Sequence, residues 1–272
     1  MGTLLNFFLL TYTVSWICFF AGAAGAGAFG QPVLAQLREP LFLLGTFTPA
    51  LVALWLTARA EGRSGINSLL DRVLHWNVGG RWYVFAIGYM AAVKLAVALT
   101  HRAIAGTWPH FGNEPWYLIV GAIMISTPVQ SGEEVGWRGY ALPRLAARMG
   151  FARAGVLLGV IWAAWHLPFF FVPGIDMYRQ SFLLFVFSVT ALSVAITWLY
   201  VRTNGSLLLT MLMHSAVNQT VGIVSDVGKP GNLFALRVPL SFLLTVVFLW
   251  IPAVYFLIRM PNIVVGNQPS PR

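Results

Sequence analysis

The sequence predicts an all-α, polytopic membrane protein of about eight transmembrane helices, with a polar site inside the helical bundle. Three observations point there. Of 272 residues, 58% are hydrophobic and 9% charged, and the mean hydropathy is +0.75; a soluble core of this length does not hide so much apolar surface. Apolar runs of roughly 20 residues, enough to cross a bilayer, recur along the whole chain. The ionisable residues that cluster do so inside or beside these runs.

The expected spans cover residues 4–23, 40–58, 82–100, 116–130, 154–172, 182–201, 206–224 and 238–258. They form one membrane domain, 1–272, whose core is 116–225. The first run lacks a basic flank and a convincing cleavage site, so it reads as a retained helix. Residues 22–30 are a run of small side chains, and 60–81 read as a polar, basic loop with amphipathic character. Asn204-Gly205-Ser206 reads as a turn leading into a helix N-cap. Arginine and lysine set the orientation. Arg59, Arg63, Arg72, Arg81, Arg144, Arg148, Arg153, Arg202, Arg259 and Arg272 fall on the side of the N-terminus; Arg38, Arg102, Arg179, Lys229 and Arg237 fall on the other. This bias predicts a multi-pass plasma-membrane protein with both termini cytoplasmic.

Several function classes fall away. The formal charge of +9 and pI near 10.3 come from basic residues dispersed singly between apolar runs, so no nucleic-acid-binding patch is expected. Cys18 is the single cysteine, which excludes a disulfide framework and a paired-cysteine metal site. Residues 25–30 fit GxGxxG by letter, but they follow a membrane helix and run into Gln31-Pro32, the wrong setting for a dinucleotide. Gly155 and Gly159 fit GxxxG and predict a helix-packing face. HExxH is missing, and so is the internal repeat of a two-half transporter.

The remaining anomaly is residues 131–145, SGEEVGWRGYALPRL. Glu134 and Arg138 are i,i+4 neighbours in the favourable order for an ion pair. Glu133 is rotated about 100° away on a helix, so the two carboxylates acquire different environments, one structural and one left for proton chemistry. His166 and His214 lie within apolar runs, where ionisable side chains are costly and functional by default. The competing reading is a pair of hydrogen-bonded core histidines. A helical hairpin turning near residues 149–151 sets Glu133 and His166 level, each about 25 Å from the turn, with Pro143 a potential break in the first arm. His214 and Asn218 share one helix face, with Thr210 a turn earlier.

EEVGWRGYALPRL, WHLP and MHSAVN, in this order, resemble the three motifs of the CPBP (Abi) family of intramembrane proteases, named for CAAX prenyl protease and bacteriocin processing and akin to the type II CAAX prenyl endopeptidase. The resemblance covers roughly residues 116–225; Trp162 stands where the second motif commonly has Phe. It implies an intramembrane endopeptidase acting on a membrane-associated peptide or protein, prenylated in some relatives. Glu133 would be the general base for a water, assisted by His166, while His214 and Asn218 stabilise the oxyanion and Glu134 with Arg138 braces the site. One such oxyanion donor is worth about 3 kcal/mol. A metal reading competes, in which Glu133, His166 and His214 are three zinc ligands. No cofactor is favoured, because Asn218 beside His214 suits an oxyanion donor better than a zinc site. The expected partners are membrane lipid and a peptide or protein substrate at the cytoplasmic side; nothing indicates the oligomeric state. From another class, the alternative is a non-catalytic membrane immunity factor or scaffold that keeps the polar cluster for architecture.

Overall fold

The computed structural model describes residues 2–25, 27, 35–225, 233–234, 236 and 238–260. Most of the 25–30 glycine run, with Lys229, Arg237 and Arg272, lies outside the described residues. The helices are α1 (Gly2–Gly25), α2 (Arg38–Val73), α3 (Gly80–Ala105), α4 (Trp116–Ser126), α5 (Ser131–Glu134), α6 (Leu142–Trp165), α7 (Phe182–Arg202), α8 (Leu207–Thr220) and α9 (Leu240–Arg259). A π-helical stretch, Val135–Ala141, joins α5 to α6. Among the described residues the only extended pairing is one antiparallel bridge, Phe111 to Val224. The chain is thus an all-α, multi-pass membrane protein.

Two expectations need correcting. Among the described residues six stretches are long and apolar enough to cross a bilayer, one of them the Pro128–Trp165 stretch that contains Gly150, and the shorter apolar helices Trp116–Ser126 and Leu207–Ile223 accompany them. The expected span 116–130 is the clearest miss: α4 has 11 residues, about 16 Å, and the chain tightens into a 3₁₀ turn at Pro128–Gln130. The expected loop at 60–81 is helical as far as Val73. Only Gly62, at φ 63°, ψ −152°, breaks it, a conformation open to glycine at little cost.

The hairpin forms as the spacing suggests. Gly150 has φ 77°, and the chain reverses there, since Trp162 Nε1 reaches Glu133 Oε2 at 2.7 Å. A straight helix would hold residues 29 apart at about 43 Å. Gly155 and Gly159 seat the second arm on α7, where a Cβ on Gly159 would meet the Thr190 backbone at 2.7 Å and Ser193 Oγ donates to Gly155 O at 2.9 Å. Pro143 does not break the first arm. It offers no N–H to the carbonyl four residues back, and that carbonyl, Gly139 O, instead accepts from Arg72 Nη2 at 2.9 Å. The helix widens to π geometry over the same residues.

Contacts also tie together the two ends of the bundle. At one end Ser206 Oγ donates to His75 O at 2.6 Å, Arg144 pairs with Glu61 at 2.6 Å, and Arg72 Nη1 donates to Tyr200 Oη at 2.9 Å. The N-terminal end of α1 joins this end through Phe7 against Tyr140, and the C-terminal end of α9 through Phe256 stacked on Trp198. At the other end Phe42 stacks on Phe169, Ser241 Oγ donates to Ser225 O at 2.8 Å, and the Phe111–Val224 bridge closes. Among the described residues the first end carries nine arginines, Arg59, Arg63, Arg72, Arg81, Arg144, Arg148, Arg153, Arg202 and Arg259, with Glu61 and Asp71. The second carries Arg38, Arg102 and Arg179 with Glu39, Glu114 and Asp176.

Candidate active site

The motif stretch enters the bundle by close packing. A Cβ on Gly136 would meet the Pro49 backbone at 2.6 Å, and one on Gly132 would meet Phe47 Cα at 3.1 Å. Gly132 and Gly136, one turn apart, thus lay their flat face against α2 and turn the intervening carboxylates towards α6 and α8. This G-x-x-x-G within SGEEVG was legible in the sequence, although only the pair at 155 and 159 was read as a packing face.

Glu134 and Arg138 are completely buried, with Arg138 Nη1 donating to Glu134 Oε1 at 2.7 Å. The expected i,i+4 brace therefore forms, but it has a third member. His214 Nδ1 lies 2.9 Å from the same Glu134 oxygen. An ionised carboxylate only accepts hydrogen bonds, so His214 Nδ1 carries a proton and Nε2 is the nitrogen left for other partners. His214 thereby connects α8 to the motif helix.

Glu133 is buried and accepts from Trp162 Nε1 at 2.7 Å. His166, at the C-cap of α6, has Nδ1 at 2.8 Å from Trp162 O. A backbone carbonyl cannot donate, so Nδ1 bears the hydrogen and neutral His166 presents a lone pair on Nε2. Edge contacts from Trp165, Phe169 and Phe185, with ring centroids at 4.9, 5.9 and 5.4 Å, hold the imidazole. Glu133 and His166 stand level, as the hairpin register suggested, but they are linked through Trp162 rather than by a direct hydrogen bond.

Trp162 is the residue that sequence reasoning undervalued. Besides its bonds to Glu133 and His166, its ring lies 4.3 Å from the Arg138 guanidinium carbon, a cation–π contact, and 5.1 Å edge-on from His214. Its signal was the departure from Phe, which adds an N–H donor beside a buried carboxylate.

A cavity of about 340 Å³ opens beside this group. Trp162, His166, His214 and Asn218 line it; Glu133 does not, and stands behind Trp162. Met90, Leu192, Ile196 and Leu249 give it an apolar floor, and Asp176 and Gly222 stand at its mouth, which is exposed. Asn218 is exposed, one turn beyond buried His214. The mouth therefore lies at the arginine-poor end, opposite the α1 start and the α9 finish.

The zinc reading calls for three ligands in one place. Among the described residues no three His, Cys, Asp or Glu side chains stand together as a metal-holding group. His166 and His214 each have one nitrogen engaged, and Glu133 has one oxygen engaged by an indole N–H.

Comparison with known proteins agrees with the motif order. A family model described as type II CAAX prenyl endopeptidase Rce1-like matches residues 113–220, which contain Glu133, Glu134, Arg138, His166, His214 and Asn218. A protein called CAAX prenyl protease 2, from Methanococcus maripaludis, is 25% identical over 225 residues, which is 78% of this chain and 81% of that relative. Over residues 113–220 the chain thus resembles the Rce1-like type II CAAX prenyl endopeptidases, a likeness that supports intramembrane endopeptidase activity in general.

Proposed function

We propose that the protein hydrolyses a peptide bond in a membrane-associated peptide or protein, using a water activated by Glu133. The observation that carries this reading is the pair of protonation patterns set by hydrogen bonding. His166 Nδ1 faces the Trp162 carbonyl at 2.8 Å and His214 Nδ1 faces the Glu134 carboxylate at 2.9 Å. One Nε2 then accepts a hydrogen from water, and the other, when His214 is the imidazolium paired with Glu134, donates one.

The water loses a proton to the Glu133 oxygen that Trp162 does not engage, while His166 Nε2 orients it. Its oxygen adds to the scissile carbonyl carbon. The oxyanion accepts from His214 Nε2–H and the Asn218 amide, a preorganised arrangement of the kind that lowers acyl-transfer barriers. Collapse breaks the C–N bond, and the proton held by Glu133 passes to the leaving amine. The apolar cavity beside Trp162 receives the substrate's apolar part, be it a side chain or a lipid group.

Glu133→Gln keeps the size of the side chain and its contact with Trp162 but removes the base. The expected outcome is a folded membrane protein with cleavage abolished, read by comparing protein termini in membranes of cells carrying wild type or variant. Identical termini would overturn the reading in favour of a non-catalytic scaffold or immunity factor. Stoichiometric zinc, with activity lost on chelation and restored by zinc alone, would overturn the metal-free route.

A further inference from the structure

At the end of the bundle away from the cavity mouth, arginines from α3, α7 and α9 stand on one row of aromatic rings. The Arg202 guanidinium carbon lies 5.0 Å from the Trp198 ring and 5.7 Å from the Trp82 ring. Arg81 lies 5.1 Å from the same Trp82 ring, and Arg259 lies 5.9 Å from Tyr255. Tyr255 meets Trp198 at 6.5 Å, which completes the row. Stacking engages the face of a guanidinium and leaves the N–H groups at its edge. Arg81, Arg202 and Arg259 are exposed, and among the described residues none of them spends those edges on a side-chain hydrogen bond or an ion pair.

The positive charge here has no local counter-charge. Helices α3, α7 and α9 contain no Asp or Glu, nor do the connections 74–79 and 203–206 or residues 261–272, which follow α9. The acids at this end, Glu61 and Asp71, belong to α2, and Glu61 is taken by Arg144 at 2.6 Å. Next to the arginines the surface turns apolar. Val84, three residues beyond Arg81, is 73% exposed, and Ile251, on the Arg259–Tyr255 stripe of α9, is 60% exposed. Trp and Tyr gather at headgroup level in membrane proteins, and basic pockets between membrane helices suit anionic headgroups.

We propose that this surface binds an anionic phospholipid, its headgroup drawn by the edges of Arg81, Arg202 and Arg259 and its acyl chains lying on the exposed apolar faces of α3 and α9. A free phosphate gains nothing from those faces, so the occupant is a lipid. The same helices supply Met90, Ile196 and Leu249 to the cavity floor. A lipid bridging their ends therefore clamps the helices that close the cavity.

The test uses purified full-length protein, stripped of lipid in detergent, to which phosphatidylglycerol, phosphatidylcholine or inorganic phosphate is added. Native mass spectrometry reads retained lipid, and thermal melting reads stabilisation. Phosphatidylglycerol should be retained and raise the melting temperature well beyond phosphatidylcholine at equal concentration, with no matching effect of inorganic phosphate. Arg81→Gln and Arg202→Gln should each weaken phosphatidylglycerol binding about fivefold, the loss expected for one basic residue at a membrane surface. Arg148→Gln, exposed at the same end but outside the aromatic row, should bind as wild type does. Equal retention of the two lipids, equal stabilisation by inorganic phosphate, unchanged affinity in both row variants, or the same loss in Arg148→Gln overturns the proposal. The comparison of the two lipids on the wild type needs no variant, so it decides the matter even where a substitution lowers the folded yield.

Discussion

Glu133 and Glu134 are consecutive residues on one helix, yet the fold gives them opposite kinds of surroundings. Glu134 is enclosed by ionic partners: the Arg138 guanidinium at 2.7 Å and the His214 imidazole at 2.9 Å share one of its oxygens. Glu133 has an indole N–H at 2.7 Å and no ion pair among the described residues. The difference follows from about 100° of helix rotation with Gly132 and Gly136 pressing the backbone onto α2. A carboxylate oxygen shared by a guanidinium and an imidazole is committed to holding helices together; a carboxylate held by one indole N–H keeps its second oxygen for another partner. His214 belongs to both surroundings, because one ring nitrogen completes the anchor and the other faces the cavity.

The sharpest way to break this division is to damage the anchor. Arg138→Ala leaves a completely buried carboxylate without its guanidinium, and removing one partner of a buried pair costs about 3–5 kcal/mol. The expected outcome is loss of folded protein in detergent, read by thermal melting and monodispersity, with no separable effect on catalysis. Glu133→Gln should melt close to wild type. If instead Arg138→Ala melted like wild type, the anchor would be dispensable and the two carboxylates would not differ as described.

A smaller effect is expected on the cavity side. Asn218 is exposed on α8 and lines the cavity one turn from His214. Asn218→Ala should leave melting unchanged and lower kcat by about 10²–10³, the usual cost of one oxyanion donor. An equal loss carried wholly by KM would make Asn218 a substrate contact instead.

Much of this was legible because membrane helices expose their chemistry. Apolar runs mark the helices, and ionisable residues inside them are too costly to be incidental; Glu133, His166 and His214 stand out on those grounds, and Asn218 by sharing the His214 helix face. The i,i+4 pairing of Glu134 with Arg138 and the turn at Gly150 follow from helical periodicity alone. What periodicity does not carry is lateral arrangement. Nothing local to His214 says that its Nδ1 meets Glu134, 80 residues away, and nothing near Arg72 says that it takes the carbonyl Pro143 leaves free. Depth was also obscured: α4 is apolar enough for a span but too short, because Pro128 tightens the chain just past its end.

Trp162 supplies the finest test of how Glu133 is kept apart from the anchor, since its ring contacts Arg138 while its N–H binds Glu133. Trp162→Phe retains an aromatic face for the guanidinium and deletes only the donor. A hydrogen bond to a charged group is worth about 1.5–3 kcal/mol, and part of that loss is offset by water reaching the carboxylate from the cavity. Activity should therefore fall about tenfold, a barrier change of about 1.4 kcal/mol, with melting little changed. Trp162→Leu removes the ring as well, so it should lower both activity and melting temperature. A Phe variant as active as wild type would mean that Glu133 is positioned by the helix alone; a Phe variant as unstable as Leu would assign the indole to the anchor rather than to the reactive carboxylate.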